Sequence, residues 1–324
     1  MTTVSSANRT RTATVDVVIV NWNTGPALRA CLRSIERTDR SVLEVGAVVV
    51  VDNASRDRSA DRLEPSALPL SIVRNRENRG FAAGCNQGAA HRTGDYLLFL
   101  NPDTELYPDT LRTVGEFLST PAAADVGILG GRILDARGRP GISCSRFPTL
   151  PILFGKMTGL DRMLPTVFPP HHLGPAETRR SGPVDQVIGA FYLVRRPLFE
   201  QLGGFDQRYF LYYEEVDLAL RARQCGWRSY YLGEARIYHA GNTSTDQVRG
   251  RRLSYSLRSR TLYSRRHWSR GQAGLLVVLT FAVELPARLA RAVLHGSRAE
   301  LRETVDGLAG YLRWLLRRAP AAGS

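Results

Sequence analysis

Asp95-Tyr-Leu-Leu-Phe-Leu-Asn-Pro-Asp-Thr104 is an apolar run of strand length that stops abruptly at Asn101, Pro102 and Asp103. A run that is apolar throughout belongs to a strand buried on both faces, so its polar tip is where the chain emerges. In open α/β sheets, ligands bind just beyond the carboxyl ends of the strands. A carboxylate placed there can hold a divalent cation through hard oxygen ligands. Asp103 is therefore a candidate metal ligand. The same four residues, Asn-Pro-Asp-Thr, also favour turns and caps, so a plain turn into a helix near Pro108 stays open at this point.

Upstream, the same pattern repeats. Val15-Asp-Val-Val-Ile-Val20 is a β-rich run ending in Asn21-Trp22-Asn23, followed by Gly25-Pro26 and helical spacing of Leu28, Cys31, Leu32 and Ile35. Glu44 to Val51 reads as a second strand, with Asp52-Asn53-Ala54-Ser55 as its terminal turn and a short helix to about Leu63. Leu70 to Val73 is a third strand, and Phe81 to His91 a helix entered from Asn78-Arg79-Gly80. Such alternation predicts parallel strands joined by right-handed crossovers, with Asp52 and Asp103 on one edge of the sheet.

Downstream, Gly130 to Pro183 is rich in Pro and Gly and reads as a long functional or mobile connection. Order returns with a strand over Asp185–Val194, a helix over Pro197–Leu202, a turn at Gly203-Gly-Phe-Asp206 and a helix over Glu214–Cys225. A further strand from Trp227 reaches His239-Ala240-Gly241. The last segment, Gln247 to Arg318, reads as helices. Its most apolar stretch, Ala273 to Val283, runs 11 residues before Glu284 and Pro286, short of the roughly 20 that a membrane-spanning helix needs. Leu301, Val305, Leu308, Leu312 and Leu315 recur at helical spacing among arginines, which describes a basic amphipathic helix.

Composition narrows the class. The chain has 324 residues, a formal net charge of +14 and four cysteines with no CxxC pair. Scattered cysteines suggest a reducing compartment, and all four read as packing residues. Met1 to Thr14 is polar, shows no apolar signal-peptide core, and reads as a flexible tail. From Arg249 onward there are 15 Arg and 4 acidic residues, an excess of 15 − 4 = 11, so most of the positive charge sits in the last quarter. No nucleic-acid motif accompanies it, and leucines stand where a single-strand binder would carry stacking aromatics. An anionic membrane surface is the better match.

Each candidate for chemistry has an ordinary structural alternative. Asp52 can accept from a base or ribose, or can cap a turn. The small residues of Asn78-Arg79-Gly80-Phe81-Ala-Ala-Gly84-Cys-Asn86 let backbone approach a phosphate, or simply pack closely; their spacing is not GxGxxG. Glu214-Glu215-Val216-Asp217 crowds three acids into one turn, where Asp217 can pair with Arg221 at i+4. Adjacent carboxylates raise one another's pKa, which suits a general base, yet residues about 100° apart cannot both face one ligand. One of Glu214 and Glu215 is then catalytic and the other structural. His239 matters to a metal if it faces Asp103.

Taken together, these residues resemble the family 2 inverting glycosyltransferases of GT-A fold, and among them the bacterial rhamnosyltransferase-like branch. The resemblance rests on Val18-Ile-Val-Asn21-Trp-Asn23, Val51-Asp52-Asn53-Ala-Ser55, Asn78-Arg79-Gly80-Phe81 with Asn86, Asn101-Pro-Asp103, Gly203-Gly-Phe-Asp206, and Tyr213-Glu-Glu-Val-Asp-Leu218 with His239. It covers about residues 15 to 241 and implies a GT-A domain over 15–245, a Rossmann-like α/β fold with a mostly parallel sheet, and a C-terminal helical appendage over 246–324. It further implies that Asn21, Asn23 and Asp52 serve the nucleotide, that Arg79, Gly80 and Asn86 lie near the diphosphate, and that Asn101 and Asp103 occupy the Asp-x-Asp position. His239 would complete the shell of Mg²⁺ or Mn²⁺, and Glu215 would act as base. The expected partners are dTDP-rhamnose and a glycan or polyprenyl-diphosphate acceptor, at the cytoplasmic face of the plasma membrane. Two departures, Asn101 for Asp and Glu215 for Asp, keep open a catalytically silent domain that only binds nucleotide or glycan.

Overall fold

The computed structural model describes residues 12–61, 63, 67–241 and 249–317. The strands are β1 (Ala13–Asn21), β2 (Leu43–Asp52), β3 (Leu70–Arg74), β4 (Tyr96–Leu100), β5 (Thr104–Leu106), β6 (Val126–Leu134), β7 (Cys144–Ser145), β8 (Gly182–Val184), β9 (Gln186–Val187), β10 (Phe191–Arg195) and β11 (Arg228–His239). The helices are α1 (Ala27–Arg37), α2 (Phe81–Ala89), α3 (Thr110–Leu118), α4 (Leu150–Thr158), α5 (Leu160–Met163), α6 (Arg196–Gln201), α7 (Glu214–Gln224), α8 (Arg249–His267), α9 (Arg270–Leu279), α10 (Leu285–Leu294) and α11 (Arg298–Arg317).

A nine-stranded sheet runs in the order β3-β2-β1-β4-β10-β6-β11-β5, with β8 also pairing β11. Alternation along β1 sends Val15, Val17 and Ile19 into the core on one face and Val18 and Val20 into the core on the other, so the sheet is covered on both sides. Parallel pairing of β1 with β2 and β4 brings Asn21 beside Asp52 and places the chain beyond Leu100 at the same edge.

The sheet is not parallel throughout. Strand β10 lies antiparallel between β4 and β6, and β5 antiparallel on β11. A strand buried on both faces reads the same in either direction, so the apolar pattern could not distinguish them. The predicted strand over Asp185–Val194 is two strands interrupted at 188–190. No helix lies between β2 and β3 among the described residues; Ala54 and Arg58 turn the chain at φ 64° and 57°. The tail is shorter than expected, since β1 already includes Ala13 and Thr14; residues 1–11 lie outside the described residues, as does the 245/246 boundary.

Strand β6 was concealed by its glycines, which weaken a strand signal. They are required by packing: a Cβ on Gly130 would lie 2.5 Å from Val187 Cβ, and one on Gly131 2.4 Å from the Ala235 carbonyl. Three cysteines are buried as expected, but Cys225 is exposed.

The C-terminal helices dock on the domain through α8, whose Leu262 and Tyr263 join the same core as Tyr209, Val216 and Leu218. Glu284 and Pro286 do not end the apolar helix. A π-helical turn at Thr280–Glu284 links α9 to α10, and the Glu284 carboxylate is neutralised by Arg260 Nη2 at 2.6 Å and Arg288 Nη2 at 3.1 Å. The continuous helix Arg270–Leu294 has 25 residues, which makes it long and apolar enough to cross a membrane, and only 28% of its apolar window is buried within the protein.

Candidate active site

The Asn101–Asp103 tip is tied to the strand bearing His239 by register. Thr104 opens β5 opposite His239 on β11, and Ala240 N donates to the Asp103 carbonyl at 3.1 Å. Two side chains 136 residues apart in sequence are thereby brought together: His239 Nε2 lies 3.2 Å from Asp103 Oδ1. Asn101 Nδ2 lies 3.5 Å from the same nitrogen. The site thus offers a carboxylate, an imidazole and an amide. No group of three His, Cys, Asp or Glu that would hold a cation alone occurs among the described residues. Such a sparse set fits a divalent cation that keeps water and shares phosphate oxygens with a substrate.

Strand β10 enters at the same edge, because Phe191 pairs with Leu100. Just before it, Ala190 O accepts from Asn101 N at 3.0 Å. A Cβ on the neighbouring Gly189 would sit 3.8 Å from Glu215 Cγ. Glu215 therefore stands one residue along from the backbone that supports Asn101. Burial pushes its carboxyl above the ordinary range. Glu214 is more deeply buried and is pushed well above that range, by burial first and by the Glu215 charge second. Each has an Oε2 with no hydrogen-bond partner, and neither joins an ion pair among the described residues.

Asp217 has a different task. It is fully buried and meets Arg221 Nε at 2.7 Å, His267 Nε2 at 2.7 Å and Arg266 Nε at 3.3 Å. Arg266 also pairs with Asp206. Helix α8 thus clamps the start of α7, which fixes the direction of Glu214 and Glu215. Nothing in the local sequence linked residues 266–267 to 206 and 217.

On the other side of β1, Asn21 is fully buried. Its amide donates to Asp52 Oδ1 at 3.0 Å and to Ser55 and Ser59 hydroxyls at 3.1 and 2.8 Å, while Thr24 donates to its Oδ1. With its amide engaged, Asn21 orients Asp52. Asn23, at φ 51°, accepts from Arg56 N at 2.7 Å and fixes the Asn53–Ser59 turn. Asn53, quoted in the motif without a role, proves to be a hub: its Nδ2 donates to Asn78 Oδ1 and Gly80 O at 3.1 and 3.0 Å, and its Oδ1 accepts from Asn75 Nδ2 and Arg79 N. Asp52 lies 3.9 Å from Arg74 and remains at the strand tip.

Gly80 stands at φ 87°, where a Cβ would meet the Phe210 carbonyl at 2.5 Å, so only glycine fits. The Arg79 side chain is exposed beside it. The Asn86 amide exchanges hydrogen bonds with Phe205 O and N at 2.7 and 2.9 Å, holding the Gly203–Asp206 turn. Gly84 packs on β1, a Cβ there meeting Val20 at 2.9 Å, so the close-packing reading holds at Gly84.

Residues 16–173 match the model for glycosyl transferase family 2. The chain is 29% identical over 315 residues to N-acetylglucosaminyl-diphospho-decaprenol L-rhamnosyltransferase of Mycobacterium tuberculosis, covering 91% of this chain and 99% of that one. It is 29% identical over 170 residues to rhamnosyltransferase WbbL of Escherichia coli, covering 52% of this chain and 61% of that one. Its fold is shared with mannosyltransferase PcManGT from Pyrobaculum calidifontis, solved in complex with GDP-Man and Mn²⁺, at TM-score 0.53 and 18% identity over 94% of this chain and 87% of that one. Residues 16–173 thus carry a glycosyl transferase family 2 domain, the fold is GT-A, and the sequence is rhamnosyltransferase-like.

Proposed function

We propose that this glycosyltransferase inverts the anomeric centre of L-rhamnose as it moves the sugar from dTDP-rhamnose to a polyprenyl-diphosphate-linked acceptor. The product would serve cell-envelope polysaccharide synthesis at the cytoplasmic face of the membrane. The observation that carries the reading is that Asp52, the Asp103–His239 pair and Glu215 share the carboxyl edge of one sheet. The rhamnosyltransferase relatives support the donor and the lipid-linked acceptor.

Asp52, oriented by Asn21, receives the nucleoside, and Arg79 lies beside the diphosphate path. Mg²⁺ or Mn²⁺ would be held by Asp103 and His239, with Asn101 alongside, and when bound supplies charge neutralisation for the departing diphosphate. Glu215 takes the proton of the acceptor hydroxyl. The oxygen forms its bond to the anomeric carbon as the bond to the diphosphate breaks, and dTDP leaves with the electron pair.

The test is transfer from dTDP-rhamnose to an N-acetylglucosaminyl polyprenyl diphosphate with metal present, parent against Asp103→Ala and Glu215→Gln. Loss of transfer in both folded variants is the expected result. Variants that turn over like the parent refute the assignment. Nucleotide binding with no turnover of any donor by the parent would select the silent binding domain instead.

A further inference from the structure

Resting on that reading, the structure assigns the acceptor's diphosphate to a basic subsite built by Lys156, His171, His172 and Arg146, outside the donor cleft. The Pro-rich segment that carries these residues is ordered around two short strands. β7 pairs with β9, and His172 bridges Ser145 on the outer side of β7. Arg146 N donates to His171 O at 2.8 Å. β9 then leads through Ile188 to Gly189, the residue facing Glu215. The two imidazoles, with ring centroids 4.9 Å apart, are therefore joined to the base by one short ribbon.

Positive groups outnumber the acids at this place. The Nδ1 atoms of both histidines are buried with no hydrogen-bond partner. Burial comes first in holding both rings neutral; the neighbouring His172 ring, Lys156 and Arg146 add to it at His171, and Lys156 adds to it at His172. Lys156 on α4 makes no ion pair among the described residues; although part of the side chain is exposed, burial around the ammonium lowers its pKa first, and Arg260 and Arg288 add to its positive surroundings. The acids nearby are already committed, Glu284 to Arg260 and Arg288 and Glu177 to Arg146; Asp161 also acts on Lys156. An anion with several oxygens relieves this imbalance.

The ligand is amphiphilic, because the next turn of chain is bare of polar cover. Met163, Leu164 and Val167 are exposed by 77%, 49% and 60%. Leu275 and Val278, on the α9 helix that packs against α4, are exposed as well. A diphosphate beside solvent-facing apolar residues suits a lipid diphosphate better than a second nucleotide.

The experiment is calorimetric titration of farnesyl diphosphate into full-length protein whose donor site is saturated with dTDP and Mg²⁺. Farnesol and inorganic diphosphate serve as separate arms. Binding of farnesyl diphosphate that weakens about tenfold or more in both Lys156→Glu and His172→Ala, with dTDP affinity unchanged, is expected. Weaker binding of inorganic diphosphate alone would show that the tail contributes, and equal binding would place the recognition in the phosphates. Competition of farnesyl diphosphate with dTDP for one site, or unchanged affinity in the two variants, overturns the subsite. Because the readout is binding, failure of sugar transfer would sink the proposed activity without touching this result.

Discussion

At the residue scale the two adjacent glutamates separate by what burial does to each. Both folded-state carboxyls are raised, so both hold protons to higher pH than a free Glu near 4.3. A base must be ionised, so kcat/KM is expected to fall on the acid side through a pKa above that value, and a pH profile measures it. Glu215→Gln should lower kcat by ~10²–10⁴-fold with the thermal transition retained. For Glu214 the linkage has the opposite sign to that of a paired acid. A raised folded pKa favours the native state below the unfolded pKa, and that contribution is lost as pH rises through the folded value. Glu214→Gln should therefore unfold at an equal or higher temperature than the parent at pH 8, and a lower one contradicts the assignment. The acids were legible as a cluster, but which was more buried depends on Gly189 and α8, far away in sequence. Asn101 offers a further check. Restoring a second carboxylate by Asn101→Asp should tighten Mn²⁺ binding several-fold, read by electron paramagnetic resonance of the free ion, because charge count sets affinity at hard-cation sites.

At the scale of elements, two contacts set the frame. Helix α2 approaches β1 so closely that a Cβ on Gly88 would fall 2.4 Å from Val18 Cγ1 and 3.1 Å from Val51 Cγ2. Gly88→Ala is expected to cost ~1–3 kcal/mol in denaturant unfolding through overpacking, despite the better helix propensity of Ala. The second contact is the α7–α8 clamp. Burial alone would raise the Asp217 carboxyl, but the His267 hydrogen bond and Arg221 outweigh it and hold it low. Its contribution is then present above the unfolded pKa and lost as pH falls through the folded one. Asp217→Ala leaves Arg221 and His267 without their buried partner, and a loss of ~3–5 kcal/mol in chemical denaturation is expected. The strands of β1, β2, β3 and β4 were legible because period and propensity agree. β6 was not, since Gly127, Gly130 and Gly131 accommodate neighbours that sequence does not show. The direction of β10 was hidden for the reason given above, and Asp103 met His239 only through the β5–β11 register.

At the scale of the whole molecule, the question is what the C-terminal helices face. The apolar spacing of α11 marked a basic amphipathic helix suited to a membrane surface. In the structure this helix packs small residues inward, with a Cβ on Gly307 reaching Leu253 at 2.7 Å and one on Gly310 reaching Ser254 Oγ at 2.6 Å. Leu301, Val305 and Leu312 are consequently left exposed by 39%, 51% and 39%. The same holds for Val278, Val293 and Leu294 on α9 and α10, at 59%, 70% and 84%. These residues lie in the quarter of the chain that holds 15 of its arginines and only 4 acids. Apolar side chains in arginine-rich surroundings favour the boundary of an anionic bilayer, where each arginine near the surface adds about 1 kcal/mol. Co-sedimentation should show the protein on vesicles of anionic lipid and much less on neutral ones. High salt should release only part of it, because the apolar contribution is unscreened. Val278→Glu with Leu294→Glu changes two exposed positions, so folding should survive while vesicle binding falls several-fold. If the doubly substituted protein still sediments like the parent, the helices contact something other than lipid through these residues.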